Sequence, residues 1–174
     1  MKKEKNMSVR AFKYFSPFII YIGAFRAFTT TGWQIWLPLA YAWIIIPLIE
    51  LFLKPNADNL SEAEEELVKK DKFYDVVLYL VVPLQYAALA LFLYSMKHDV
   101  MTVYDIVGRI FVMGLCCGVF GINVGHELGH RVNKFEQTLA KMLLLTSQYM
   151  HFFIEHNKGH HKRVATKEDP SSGR

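Results

Sequence analysis

The placement of charge and of histidine along this chain predicts an all-α integral membrane protein: a bundle of about four transmembrane helices with a cytoplasmic, histidine-rich metal site. Hydrophobic residues make up 52% of the 174, only slightly above a soluble average, but their distribution is uneven. Charge is concentrated in an N-terminal arm, one central loop and the tail after Val124. Between these lie apolar runs near the roughly 20 residues a helix needs to cross a bilayer. Six of the seven histidines fall between His126 and His161.

The first span is expected over about Phe12–Thr29. Arg26 interrupts it near one end, where its long stem can carry the charge to the interface. The second runs from Trp33 to Leu53, with Trp33, Trp36 and Lys54 as interfacial anchors. The third covers about Val76–Met96 and carries Pro83 and Gln85. A kink at Pro83 is expected, and spanning helices tolerate one where neighbours satisfy the freed carbonyl. The fourth covers about Val103–Val124. In it Gly114, Gly118, Gly121 and Gly125 recur at spacings that line one helical face, so a neighbouring helix can approach closely there. Asp105 and Arg109, four apart, can pair.

Orientation follows from lysine and arginine. The N-terminal arm carries Lys2, Lys3, Lys5, Arg10 and Lys13. The central loop carries Lys54, Lys69, Lys70 and Lys72, and the tail is equally basic. The two intervening connections hold only Lys97. The positive-inside rule then places both termini, the central loop and the histidines in the cytoplasm. The acidic stretch Ser61–Lys72 opens with a capping-box pattern, Ser61 with Glu64, and reads as a short surface helix.

A fifth apolar stretch, Leu139–Phe153, is short for a span and contains Lys141, Gln148 and His151. If the histidines before and after it share a site, both its ends lie on one side. It is therefore expected in the interface or folded back into the bundle.

Composition excludes several classes of function. No secretory signal pattern is present, because Met1–Lys13 is too charged and no small-residue cleavage site follows. Cys116 and Cys117 are adjacent inside an apolar run, so they build neither a disulfide framework nor a metal knuckle. The net charge of +4 comes from loop residues, and no basic stripe interleaved with aromatics suggests nucleic acid.

The histidines carry the chemistry. "NVGHELGHR" holds His126 and His130, and "EHNKGHH" holds His156, His160 and His161. On a helix, residues four apart differ by about 40° around the axis. His126 with His130, and His156 with His160, are each expected to chelate one ion from one face. His161 lies about 100° round from His160 and is expected to face a second ion or a shared edge. A run of ionisable groups at a membrane edge is costly without such a role. His98 gets no metal role, and His151, between the boxes, reads as a neighbour of the site.

"HELGH" also fits a zinc protease, with Glu127 as the base, although Asn133 stands where the metzincin extension needs glycine. A catalytic zinc takes three protein ligands, and five candidates cluster here. The surplus points to two ions or a six-coordinate one. Imidazole suits iron as well as zinc. A ferritin-like site needs two Glu-x-x-His pairs, and only Glu127 with His130 qualifies. A histidine-rich di-iron site at a membrane surface remains.

The boxes "HELGHR" and "EHNKGHHKRVATKEDP" resemble the first two of three histidine boxes of the membrane-bound alkane 1-monooxygenases. The second box is the more specific, since agreement continues through "VAT" and "EDP". "DKFYDVVLYLVVPLQYAAL" and "WLPLAYAWIIIPLIELFLKP" are similar to that family's early spans. Fatty-acid desaturases, hydroxylases and xylene monooxygenases belong to the same superfamily.

The resemblance implies six spanning helices in a bacterial inner membrane, with cytoplasmic boxes. It implies His126, His130, His156, His160 and His161 as ligands of two non-haem iron ions, with Glu127 beside them rather than acting as a base. It implies hydroxylation of the terminal carbon of n-alkanes to primary alcohols, using O2. An alkane has no polar handle, so an apolar channel must select it; packing against lipid accounts for Trp43, Phe18, Phe25 and Phe52, so none is assigned to the channel. The chain has no Gly-rich dinucleotide fingerprint, and its two cysteines cannot build an iron–sulfur centre. Rubredoxin is the electron donor the family implies. Arg131, Lys134, Lys158, Lys162 and Arg163 serve equally as a dock for it or as positive-inside residues. The family's third box and last two spans are expected beyond Arg174, which makes residues 1–174 a partial monooxygenase domain. The rival readings are a related acyl-chain desaturase or hydroxylase, a xylene monooxygenase, a membrane zinc protease, and a remnant that binds metal without turnover.

Overall fold

A computed structural model describes residue 15 and residues 17–53, 72–164 and 166–169. The expected surface helix Ser61–Lys72 lies outside these, apart from Lys72. All regular structure among the described residues is helical. Three helices there are long and apolar enough to cross a membrane: α2 (Gly32–Phe52), α3 (Lys72–His98) and α4 (Val103–Gly129).

The remaining helices are shorter. α1, Phe18–Ala27, has ten residues within its bounds, about 15 Å of rise; of the span expected over Phe12–Thr29, residues 12–14 and 16 lie outside those described. It buries Tyr21, Ala24 and Ala27 against the bundle, and Arg26 extends outward to Gln34 Oε1 at 3.0 Å. α2 opens with a 3-10 turn over Gly32–Trp36, carries Pro38 and Pro47 without interruption, and contains a π turn over Tyr41–Ile45. Most of its side chains are exposed, as expected for a helix facing lipid. Pro83 sits inside one continuous α3.

The end of the bundle opposite the histidine boxes is laced by polar contacts. Thr102 and Asp105 form a capping box at the start of α4, and Asp105 also accepts from the Gly32 amide at 2.7 Å. The expected Asp105–Arg109 pair does not form. Arg109, almost fully buried, donates instead to Asp99 at 2.7 Å and to the Thr30 carbonyl at 2.8 Å. Capping had already taken the Asp105 oxygens, so the guanidinium joins two other connections.

The fifth apolar stretch folds back. α5, Lys134–Thr146, runs alongside α3: Tyr79 donates to Glu136 at 2.8 Å and Tyr86 to the Met142 carbonyl at 3.0 Å. Its 13 residues rise about 20 Å, short of the roughly 30 Å of hydrocarbon. After a turn over residues 147–150, α6 (residues 151–163) returns toward the end of α4. Ala140, Leu143 and Leu144 are buried against α4.

The glycine stripe is divided by a π turn over Cys117–Ile122. A Cβ at Gly121 would lie 2.7 Å from Ser147 Oγ, and one at Gly125 would lie 3.1 Å from Leu144 Cγ. Those two glycines seat the hairpin. Gly114 and Gly118 have nothing within 4 Å of a Cβ. A π turn takes one more residue than an α turn, so the four do not share one seam as the spacing suggested.

Candidate metal centre

His126 and His130 come from the last turn of α4, four apart on one face. His156 and His161 come from α6, where the backbone is a π-helix over Glu155–His160. Hydrogen bonding from i to i+5 brings the fifth residue round to the first, so His161 stands beside His156. Their Nε2 atoms converge. His130 lies 2.6 Å from His126, His126 lies 2.7 Å from His156, and His156 lies 3.0 Å from His161. Ligand atoms of all four fall within 4.8 Å of one another.

Hydrogen bonding among the rings cannot account for this cluster. Each Nε2 has a single in-plane site, either a proton or a lone pair, so four of them make at most two N–H···N bonds. Three close contacts exist. A cation accepting all the lone pairs resolves the conflict. A metal–imidazole bond of about 2.0–2.1 Å places neighbouring ligand nitrogens about 3 Å apart, close to the 2.6–3.0 Å of the three contacts. The donor set contains no thiolate or carboxylate, which suits a borderline transition metal rather than calcium or magnesium.

The environment keeps the rings ready to bind. Burial, then His126 and His161, holds His130 below the ordinary histidine range, against Glu127, which raises it. Burial, then the surrounding histidines with His126 foremost, pushes His156 down to about 4. Both therefore stay neutral, with a lone pair to give, at neutral pH. Phe152 stacks on His156 at 4.7 Å and meets His126 edge-on at 5.6 Å, walling one side. Phe153 and Asn157 lie against α4 at Gly129, with the Asn157 amide donating to the Gly129 carbonyl at 3.4 Å.

His160 does not join this group. The expected pairing of His156 with His160 assumed an α-helix, and the π turn gives the place to His161. His160 Nδ1 lies 3.0 Å from both oxygens of the buried Asp169, and its ring stacks 5.4 Å from His156. Asp169 escaped the sequence reading because it returns over non-helical chain, where periodicity says nothing; "EDP" in the second box was the available signal. Glu127 is more than half exposed and lies 3.4 Å from Arg131, which also reaches Asp75 at 3.4 Å. His151 is exposed against Tyr149, and His98 sits against Tyr94 at the far end of α3.

Beside α4 runs an apolar groove of about 640 Å³, lined by Trp43, Phe111, Gly114, Gly118 and Ile122 and reaching Asn123, one turn before His126. A second, of about 270 Å³, shares Trp43 and Phe111 and is also lined by Trp36 and Leu39.

No family model matches the chain. Among curated proteins it is 38% identical over 146 residues to alkane 1-monooxygenase 1 of Alcanivorax borkumensis, covering 83% of this chain and 36% of that protein. It is 39% identical to alkane 1-monooxygenase of Pseudomonas putida and 37% identical to that of Ectopseudomonas oleovorans, with the same coverage. The chain thus matches little more than a third of the length of these relatives.

Proposed function

Because the chain is homologous to alkane 1-monooxygenases along 83% of its length, we propose that it is the N-terminal part of a non-haem di-iron membrane monooxygenase. The whole enzyme would hydroxylate the terminal carbon of n-alkanes in a bacterial inner membrane, with its histidine boxes in the cytoplasm. One atom of dioxygen enters a terminal C–H bond, and the other leaves as water with two electrons and two protons. The observation that carries this reading is the convergence of four Nε2 atoms from α4 and α6.

His126, His130, His156 and His161 would hold one iron. His160 would serve the second through Nε2, with Asp169 fixing its other nitrogen, as carboxylates commonly do for ligand histidines. The remaining ligands belong to the third box expected beyond Arg174. Bound iron supplies the reductive activation of dioxygen. The protein's own part is to aim the substrate. The groove past Trp43 is apolar along its length, matching a substrate without polar groups, and its Asn123 end brings a terminal methyl to the histidines. Rubredoxin would supply the electrons, docking where Lys158, Lys162 and Arg163 are exposed. The zinc-protease reading is not favoured, since the chain's relatives are monooxygenases.

The test is metal analysis of the purified membrane protein and its variants. His126→Ala and His161→Ala are expected to lose most bound iron, and His98→Ala to retain it. One zinc per chain with peptide cleavage, or equal iron in all variants, sinks the proposal.

A further inference from the structure

Gln85 is fully buried in the apolar interior of α3, where a polar side chain needs a reason, and the chemistry above gives it none. Its partners supply one. Tyr21 on α1 donates to Gln85 Oε1 at 2.9 Å. Gln85 Nε2 lies 3.2 Å from Thr146 Oγ1, the last residue of α5, and 3.7 Å from Cys117 Sγ on α4. Thr146 spends its only hydroxyl proton on the Leu143 carbonyl at 2.7 Å, so toward Gln85 it can only accept. The amide is thereby fixed one way round, with its oxygen to Tyr21 and its NH2 to the hairpin. Next in the chain, Ser147 Oγ donates to the Cys117 carbonyl at 3.3 Å.

The turn these contacts hold is costly. Gln148 has φ 53, a left-handed conformation that a non-glycine residue keeps only where the surroundings impose it. Beyond this turn the chain becomes α6, which carries both histidines of the second limb. Any shift of the turn along α4 changes which face α6 presents to His126 and His130.

We infer that Gln85 is a positioning residue: through Thr146 it sets the depth of the re-entrant hairpin and so the register of His156 and His161 against His126 and His130. This rests on the metal reading above, and it concerns a residue deep in the bundle that touches no ligand.

The test is titration of the detergent-solubilised chain with Co2+, whose visible bands report coordination geometry. Thr146→Val keeps the side-chain shape and removes the acceptor, and Gln85→Leu removes the donor. Both are expected to weaken Co2+ binding about tenfold, the lower end of losses seen when ligand-orienting groups are removed, and to shift the bands. Thr146→Ser should restore wild-type behaviour. Ser95→Ala deletes another buried hydrogen bond of α3, to the Phe92 carbonyl at 2.8 Å, and should leave affinity and bands unchanged. Wild-type binding in Thr146→Val, or an equal loss in Ser95→Ala, overturns the inference alone. A wild-type chain that binds no Co2+ through histidine overturns the metal reading itself.

Discussion

The two halves of α4 use the same small residues for opposite ends. Gly114, and Gly118 inside the π turn, leave space, and that space is a groove beneath Trp43. Gly121 in the same turn, with Gly125 and Gly129 beyond it, is covered by Ser147, Leu144 and Phe153 of the hairpin and α6. In membranes, apolar side chains gain little by leaving lipid for protein, so close packing and hydrogen bonds must drive helix association. A bare α4 surface is the device in both halves: one admits a neighbouring backbone, the other keeps a passage open. What separates them is the single added residue of the π turn, which turns one face of the helix into two.

Substitutions in the two halves should therefore part company, most sharply at Gly121 and Gly118. Gly121→Val places branched carbon where Ser147 Oγ and Thr146 Oγ1 already sit, 2.7 and 3.1 Å from the first added atom. Overpacking of this kind costs about 1–3 kcal/mol or more, and here relief means moving the hairpin outward. Iron content should collapse with it, to a level comparable with the His126→Ala variant. Gly118→Val meets nothing within 4 Å at Cβ and should keep its iron. Comparable metal content in the two variants, measured by elemental analysis, would show that the halves are not distinct.

A smaller effect sharpens what the packed half does for its second limb. Asp169→Asn keeps the size of the side chain but removes the charge that faces His160 Nδ1. Losing such a partner typically costs about 10–100-fold in metal affinity. On the proposed di-iron reading, the loss should fall on the iron that His160 would serve, leaving the site of His126, His130, His156 and His161 filled. Quantitative iron analysis with Mössbauer spectra resolves the two. Loss of both irons together would mean that His160 belongs to the four-histidine group after all.

The division of α4 also marks how far the residues alone could be read. Bilayer thickness imposes a length, so α2, α3 and α4 stand out as apolar windows whatever their packing. His126 and His130 were legible because α4 is a regular α-helix where they sit. His161 was assigned away from His156, and Gly114 and Gly121 were placed on one face, for one reason: each assignment extrapolated 100° per residue across a π turn. No local propensity announces such a turn; it exists because tertiary contacts favour it. Arg109 was likewise matched to its helical neighbour Asp105, when connections distant in sequence competed for both. The fold-back of Leu139–Phe153 was legible by a different route, since histidines flanking a stretch too short to span must share a side.

The smallest effect is the one that tests the open half. Gly118→Leu adds a side chain to the floor of the groove without displacing any atom around its Cβ, so stability should change by less than about 0.5 kcal/mol. Selectivity should still move. Each methylene that no longer fits forfeits about 0.8 kcal/mol of transfer from water, close to fourfold in preference per carbon. In the whole enzyme, competition between n-alkanes of graded length should shift toward the shorter ones. Trp43→Ala should shift it the other way, because that indole lines both the larger groove and the smaller one beside Trp36 and its loss adds space to each. If both variants keep the wild-type length profile, substrate does not travel along the bare glycines, and only the packed half of α4 retains a function in the reaction.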